Sequence, residues 1–249
     1  MTNTLGNLAH QPQIIIASQD VESRLQSLAN LSLQDFAQII QTANFARSDE
    51  TANSTKIYAG TNFYHNLVKA IRDILATKGF TSHSHRNIEL ALHDNIAIGI
   101  CKGDEDTGNP NQQPRSHYKK GDVTLKLLGL KQDDNPQQEK LFPDTEKLHV
   151  TGGKLQLTLD EKERDVWVLV HYSIKNSLGD YQVKAELSQP ATYDDHGYIN
   201  SFVNRIILDF GQQQFNNAEP EFTDNIDFKI EWCCTTILSA YVLHVNAEA

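Results

Sequence analysis

Oxygen donors crowd into Asp104-Glu105-Asp106-Thr107-Gly108-Asn109, and hard cations such as Ca²⁺ and Mg²⁺ prefer such donors. The spacing is not that of an EF-hand. Counted from Asp104, glycine stands fifth and Arg115 twelfth, where the motif needs glycine sixth and a bidentate glutamate twelfth. Asp104 and Asp106 are nevertheless the candidate metal ligands, with Mg²⁺, Mn²⁺ or Ca²⁺ as the cation, and no other cofactor is implied. A few residues on, Arg115, His117, Lys119 and Lys120 offer positive groups to an anion or to the carboxylates of a partner. Both sets fall within one stretch, CKGDEDTGNPNQQPRSHYKKGD, from Cys101 to Asp122. Its Gly, Asn, Pro, Gln and charged residues favour a plain solvated loop over either kind of site.

A hydrolase is the alternative. Metal-dependent nucleases often carry an acid on one strand and an acid-x-lysine on the next. Asp122 is placed to be the first acid, and Val183-Lys184-Ala185-Glu186 holds the other two residue types in reversed order. Alternation along a half-buried strand accounts for Lys184 and Glu186 more simply.

Other chemistries lack their signatures. Gly152-Gly153-Lys154 ends like a phosphate-binding loop, but Leu148 stands where its first glycine belongs and Leu155 where magnesium needs Ser or Thr. There is no GxGxxG, HExxH or GxSxG. His83, His85 and His93 have no cysteine pair to complete a zinc site and suit a helix-to-strand loop. Cys101, near His93 and His117 in sequence, sits in an isoleucine-rich run where a thiol acts as small apolar filler. Asp194-Asp195-His196-Gly197-Tyr198 makes a good turn.

These residues need elements to position them. From Val21 to Ile40 apolar residues recur at helical spacing, and Ser32 with Asp35 marks a second helix start as a capping box. Arg47 to Thr55 is polar, and a third helix fits Asn62 to Lys78. From Asn87 the period becomes two. Ile96, Ile98 and Ile100 face one way and the small Ala97, Gly99 and Cys101 the other, so something packs closely on that second side. Val123, Leu125 and Leu127 alternate as a strand, which makes 101–122 a long hairpin connection. Lys131 to Lys147 suits a surface excursion. Runs at 155–159, 166–172 and 183–187, joined by short turns, predict an antiparallel meander. Ile199 to Phe210 fits helix or strand equally. Phe228 to Trp232 and Thr236 to Val245 suggest further strands, with Cys233-Cys234 as a bend between them.

Helices first and strands after predict an α+β fold: N-terminal helices packed on a mainly antiparallel, meander-containing sheet. One domain is expected over 1–249, helical over about 18–79 and mainly β over about 87–246, because no Pro/Gly/Ser-rich linker separates the parts. The 22 basic and 32 acidic residues give a net charge of -10, which disfavours nucleic acid as the partner. Three cysteines without a framework, no basic-then-apolar leader and no run long enough to span a bilayer predict a soluble cytoplasmic protein with no membrane attachment. With no complete catalytic constellation in view, action through protein–protein contacts is the leading expectation. A divalent-metal-dependent nuclease or phosphodiesterase is the alternative.

Overall fold

The computed structural model describes residues 13–47, 50–85, 87–130, 148–151, 154–157, 163–177 and 179–211. Three helices come first: α1 (Ser18–Ala29), α2 (Leu33–Phe45) and α3 (Tyr58–Ala76). The capping box predicted at Ser32 is present. The Asp35 amide donates to Ser32 Oγ at 3.1 Å, and the Ser32 amide donates to Asp35 Oδ2 at 2.8 Å. Each helix buries one stripe: Val21 and Leu25; Phe36, Ile39, Ile40 and Ala43; then Phe63, Leu67, Ala70, Ile71 and Leu75. These side chains share one core with Ile96, Ile98, Trp167, Leu169, Val183, Ala185, Leu187 and Ile206 of the sheet.

The strands are β1 (Ile14–Ile15), β2 (Thr81–His85), β3 (Ile88–Leu92), β4 (Ile96–Lys102), β5 (Leu148–Thr151), β6 (Lys154–Leu157), β7 (Glu163–Lys175), β8 (Tyr181–Tyr193) and β9 (Ile199–Leu208). Their main order is β1-β9-β8-β7-β4-β3-β2, with the β5–β6 hairpin attached to β7. The fold is therefore α+β, and the ambiguous run at 199–210 is strand from Ile199 to Leu208. The meander is present from β6 through β9, all antiparallel. The sheet as a whole is mixed, which corrects the antiparallel description: β1 pairs parallel with β9, and β4 with β7 from Ile96↔Asp165 to Lys102↔His171. A long connection separates β4 from β7, and parallel neighbours require one.

Two local expectations are corrected as well. Val123, Leu125 and Leu127 do not form a strand; Asp122–Leu127 is a short helix, α4. Leu128 breaks the alternation and, with Leu125 three residues back, gives the helical face that is buried. Consequently Cys101–Asp122 is no hairpin tip, and Asp122 opens a helix instead of a strand. His83 and His85 lie in β2, opposite Leu90 and Ile88, and not in a loop. Asn87, at φ +65°, turns the chain tightly enough for β3 to pair back. Among the described residues no helix is long and apolar enough to cross a membrane. The excursion at 131–147, Gly152-Gly153, the strands beyond 211 and Cys233-Cys234 lie outside the described residues.

Candidate functional site

The second face of the sheet, lined by Ala97, Cys101, Val166, Val168 and Val170, is where the small residues of β4 called for close packing. Leu127 and Leu128 join it from the α4 end. The segment 103–121 lies against this face as well. Gly103, Thr107, Pro114 and Ser116 are buried, while Glu105, Arg115, His117, Tyr118 and Lys119 face outward. Gly103 fits only because it has no side chain: a Cβ there would stand 2.2 Å from Thr107 Oγ1 and 2.7 Å from Val170 Cγ1.

What fixes the segment is a pair of fully buried charges, Glu186 on β8 and Arg205 on β9, both 0% exposed. Arg205 forks onto the carboxylate, Nε to Oε1 at 3.0 Å and Nη2 to Oε2 at 2.6 Å. Its remaining donors reach the segment's backbone, Nη1 to the Gln112 carbonyl at 2.8 Å and Nη2 to that of Asn109 at 3.0 Å. Glu186 also accepts from the Gly108 amide at 2.9 Å and the Ser188 hydroxyl at 2.8 Å. A bidentate ion pair whose spare donors and lone pairs are occupied is the form in which buried charge is tolerable. Without it, the carbonyls of 109 and 112 would lose the donor that ties them to the sheet.

The same segment closes an edge of the sheet. Gln113 uses its carboxamide as a substitute strand, accepting from the Phe202 amide at 3.0 Å and donating to the Phe202 carbonyl at 3.3 Å. Ser116 does likewise at Ile199: its amide donates to the Ile199 carbonyl at 2.8 Å, and its hydroxyl accepts from the Ile199 amide at 3.0 Å. Unpaired strand edges invite association, and here 113–116 occupies one.

The acidic candidates hold the segment's own turns. Asp104 accepts from the Asp106 amide (3.2 Å) and the Arg115 amide (3.1 Å), while its carbonyl accepts from the Thr107 hydroxyl at 2.7 Å. The Asp106 carbonyl accepts from the Asn109 amide at 2.9 Å. Asp122 stands in the first turn of α4. Lys184 and Glu186 do lie together under the segment, Lys184 donating to the Glu105 carbonyl at 3.3 Å. Among the described residues no group of three or more His, Cys, Asp or Glu side chains is placed to hold a metal ion.

The basic candidates are held on the outer side. Arg115 pairs with Asp194 at 2.6 Å and lies 4.0 Å above the Tyr198 ring. Asp194 is held below the usual carboxylate range chiefly by the Tyr198 amide, with Arg115 and the His196 amide adding to it. The predicted turn is there: Gly197, at φ +85°, brings its position against the Lys120 carbonyl, which a Cβ would meet at 2.9 Å. The Lys120 amide donates to the Gly197 carbonyl at 2.7 Å, so the turn and the segment brace each other. His117 meets the ring of Tyr118 edge-on at 4.5 Å, and Lys102 stands 5.6 Å from the same ring. Tyr118 is 59% exposed. The His117 imidazole is pushed down first by burial and then by Lys102, with Asp104 opposing and Lys120 adding to Lys102.

Cys101 is buried beneath this cover, and burial pushes its thiol up despite nearby Lys120. It packs as filler. Lys102, Tyr118, Gln113 and Arg205 escape a search for motifs. The one usable signal for Arg205 is a lone cation directly before the apolar run Ile206-Ile207-Leu208. Compared with protein-family models, with curated proteins and with solved structures, the chain matches none.

Proposed function

We propose that this protein acts by protein–protein contact, and that the outer side of 103–121 is the contact surface. The observation that carries this is Tyr118, a large, exposed ring flanked by Lys102, His117 and Lys119 on a segment pinned from beneath. Exposed aromatic residues with cationic neighbours are what contact hot spots are made of, and a pre-set backbone lowers the ordering cost of binding. Arg115 contributes as a strut through Asp194 and Tyr198; Lys119 and Lys102 remain to meet a partner's carboxylates. We take the chain as one cytoplasmic domain with a protein, not a nucleic acid, as partner and with no cofactor.

The metal-dependent hydrolase is the weaker proposal. It draws on Lys184 beside Glu186, yet both Glu186 oxygens are occupied by Arg205, Ser188 and the Gly108 amide. A cation there would have to displace a guanidinium.

The test is affinity capture with cross-linking, comparing the wild type with Tyr118→Ala/Lys119→Glu and with Lys69→Glu, an exposed change on α3. A partner retained by the wild type and by Lys69→Glu, and lost with the double variant, supports the proposal. A partner that ignores both changes places the contact elsewhere.

A further inference from the structure

Arg47 follows the C-terminal end of α2 and points into the opposite face of the molecule from the 103–121 segment, toward β7 and β8. It is 6% exposed. Its guanidinium carbon lies 3.7 Å from the centre of the Phe63 ring and 4.5 Å from that of Tyr181, so two aromatic rings lie against it. Nη2 donates to Ser173 Oγ at 2.8 Å, whereas Nε and Nη1, both buried, have no hydrogen-bond partner among the described residues. Next to it His171 is 5% exposed, its ring 5.0 Å from Phe63, and its Nδ1 is also unpartnered among the described residues.

No carboxylate among the described residues forms an ion pair with Arg47. Glu50, whose charge reaches it, is engaged by Lys175 at 3.5 Å. The contrast with Arg205 is direct: among the described residues, every nitrogen of that guanidinium donates and a carboxylate sits on its fork, whereas only one nitrogen of Arg47 donates and none meets a carboxylate. Burial pushes Arg47 down to about 10 against the opposing pull of Tyr181 and Glu50, and burial followed by Arg47 pushes His171 down to about 3.

We propose that Arg47, with Ser173 beside it and Lys175 at the surface above, is a binding site for one small oxyanion, a carboxylate or a phosphoryl group. A guanidinium donates only in its own plane. An oxyanion brings in-plane acceptors and the missing negative charge together. Water would supply acceptors but no charge. The cluster lies one side chain below the surface, because Tyr181 is half-buried and carries the exposed Lys175 5.2 Å from its ring. An arriving anion meets Lys175 first, then displaces the edge of Tyr181.

Equilibrium dialysis of the full chain against labelled inorganic phosphate and, separately, labelled succinate, at fixed ionic strength, is the deciding experiment. One equivalent of either anion is expected to bind, with a saturable rise in Tm of roughly 5 °C at a hundredfold excess over Kd. Phosphate alone would mark a phosphoryl ligand and succinate alone a carboxylate. Arg47→Met, which keeps the stem between the rings, should abolish binding. Arg47→Lys keeps the charge without the fork and should weaken it about tenfold or more. Lys119→Glu/Lys120→Glu, on the other face, should leave binding unchanged. Failure of the wild type to bind either anion overturns the proposal, whether or not Arg47→Met folds. So does binding that survives Arg47→Met but is lost with the Lys119/Lys120 variant.

Discussion

At the residue scale the decisive pair is Glu186 and Arg205. Removing one member leaves a desolvated charge, and that typically costs about 3–5 kcal/mol. Arg205→Met should therefore lower the urea midpoint severely. Glu186→Met/Arg205→Met, which removes both charges, should recover part of the loss. The recovery is expected to be incomplete, because the carbonyls of Asn109 and Gln112 and the Gly108 amide lose their partners. A double variant no better than the single one would show that the pair is not coupled. Cys101 gives a second expectation at this scale. Buried at 2% exposure and with its thiol pushed up, it should resist a thiol reagent in the folded state and react once urea unfolds the chain. The reagent assay needs a Cys233→Ser/Cys234→Ser background so that one thiol is read.

At the element scale the question is why 103–121 was legible as exceptional but not as a cover. Its length and composition are visible in sequence, and so is the demand for a close neighbour made by Ala97, Gly99 and Cys101. What joins the two lies far away in the chain: Arg205 and Glu186 are drawn together by β8–β9 pairing, and nothing local to 109–112 announces their arrival. α4 was hidden for a different reason. Val123, Leu125 and Leu127 fit period two over five residues, and only Leu128 favours the helix. Helices α1 to α3 were legible because each carries its stripe over three or more turns and Ser32 marks a start. The polar candidates stand out in the sequence as a set, yet their division into inner turn-holders (Asp104, Asp106), a buried anchor (Glu186) and an outer face depends on contacts across β8 and β9. A cover held at its base rather than along its surface has a measurable signature. Gly103→Ala, which forces Cβ against Thr107 and Val170, should raise amide hydrogen exchange at Gly108, Ser116, Ile199 and Phe202 while leaving α2 and α3 protected. Uniform loss of protection would mean that the segment and the helical core unfold as one unit.

At the scale of the whole molecule, charge and burial pull in opposite directions as the pH falls. The net charge of -10 at pH 7 implies self-repulsion that relaxes toward the isoelectric point near 5.4, a stabilising trend. His171 opposes it. Its folded-state value, pushed down to about 3 chiefly by burial and then by Arg47, lies below the value near 6.5 of an unfolded histidine. The unfolded chain therefore takes up the proton first. The stability that a neutral His171 allows is fully present above about pH 6.5 and is lost progressively down to about pH 3. At pH 5 the loss amounts to about 2 kcal/mol, from the 1.5-unit distance below the unfolded value at 1.36 kcal/mol per unit. The chain holds ten histidines, so the wild-type curve alone does not isolate the effect. His171→Phe does, since it keeps a ring beside Phe63 and removes the titration. Urea unfolding of both proteins at pH 7.5 and pH 5 should show the variant gaining about 2 kcal/mol on the wild type over that interval. Parallel curves would mean that His171 accepts a proton without leaving the fold, and the uncompensated charge at Arg47 would then not govern its surroundings.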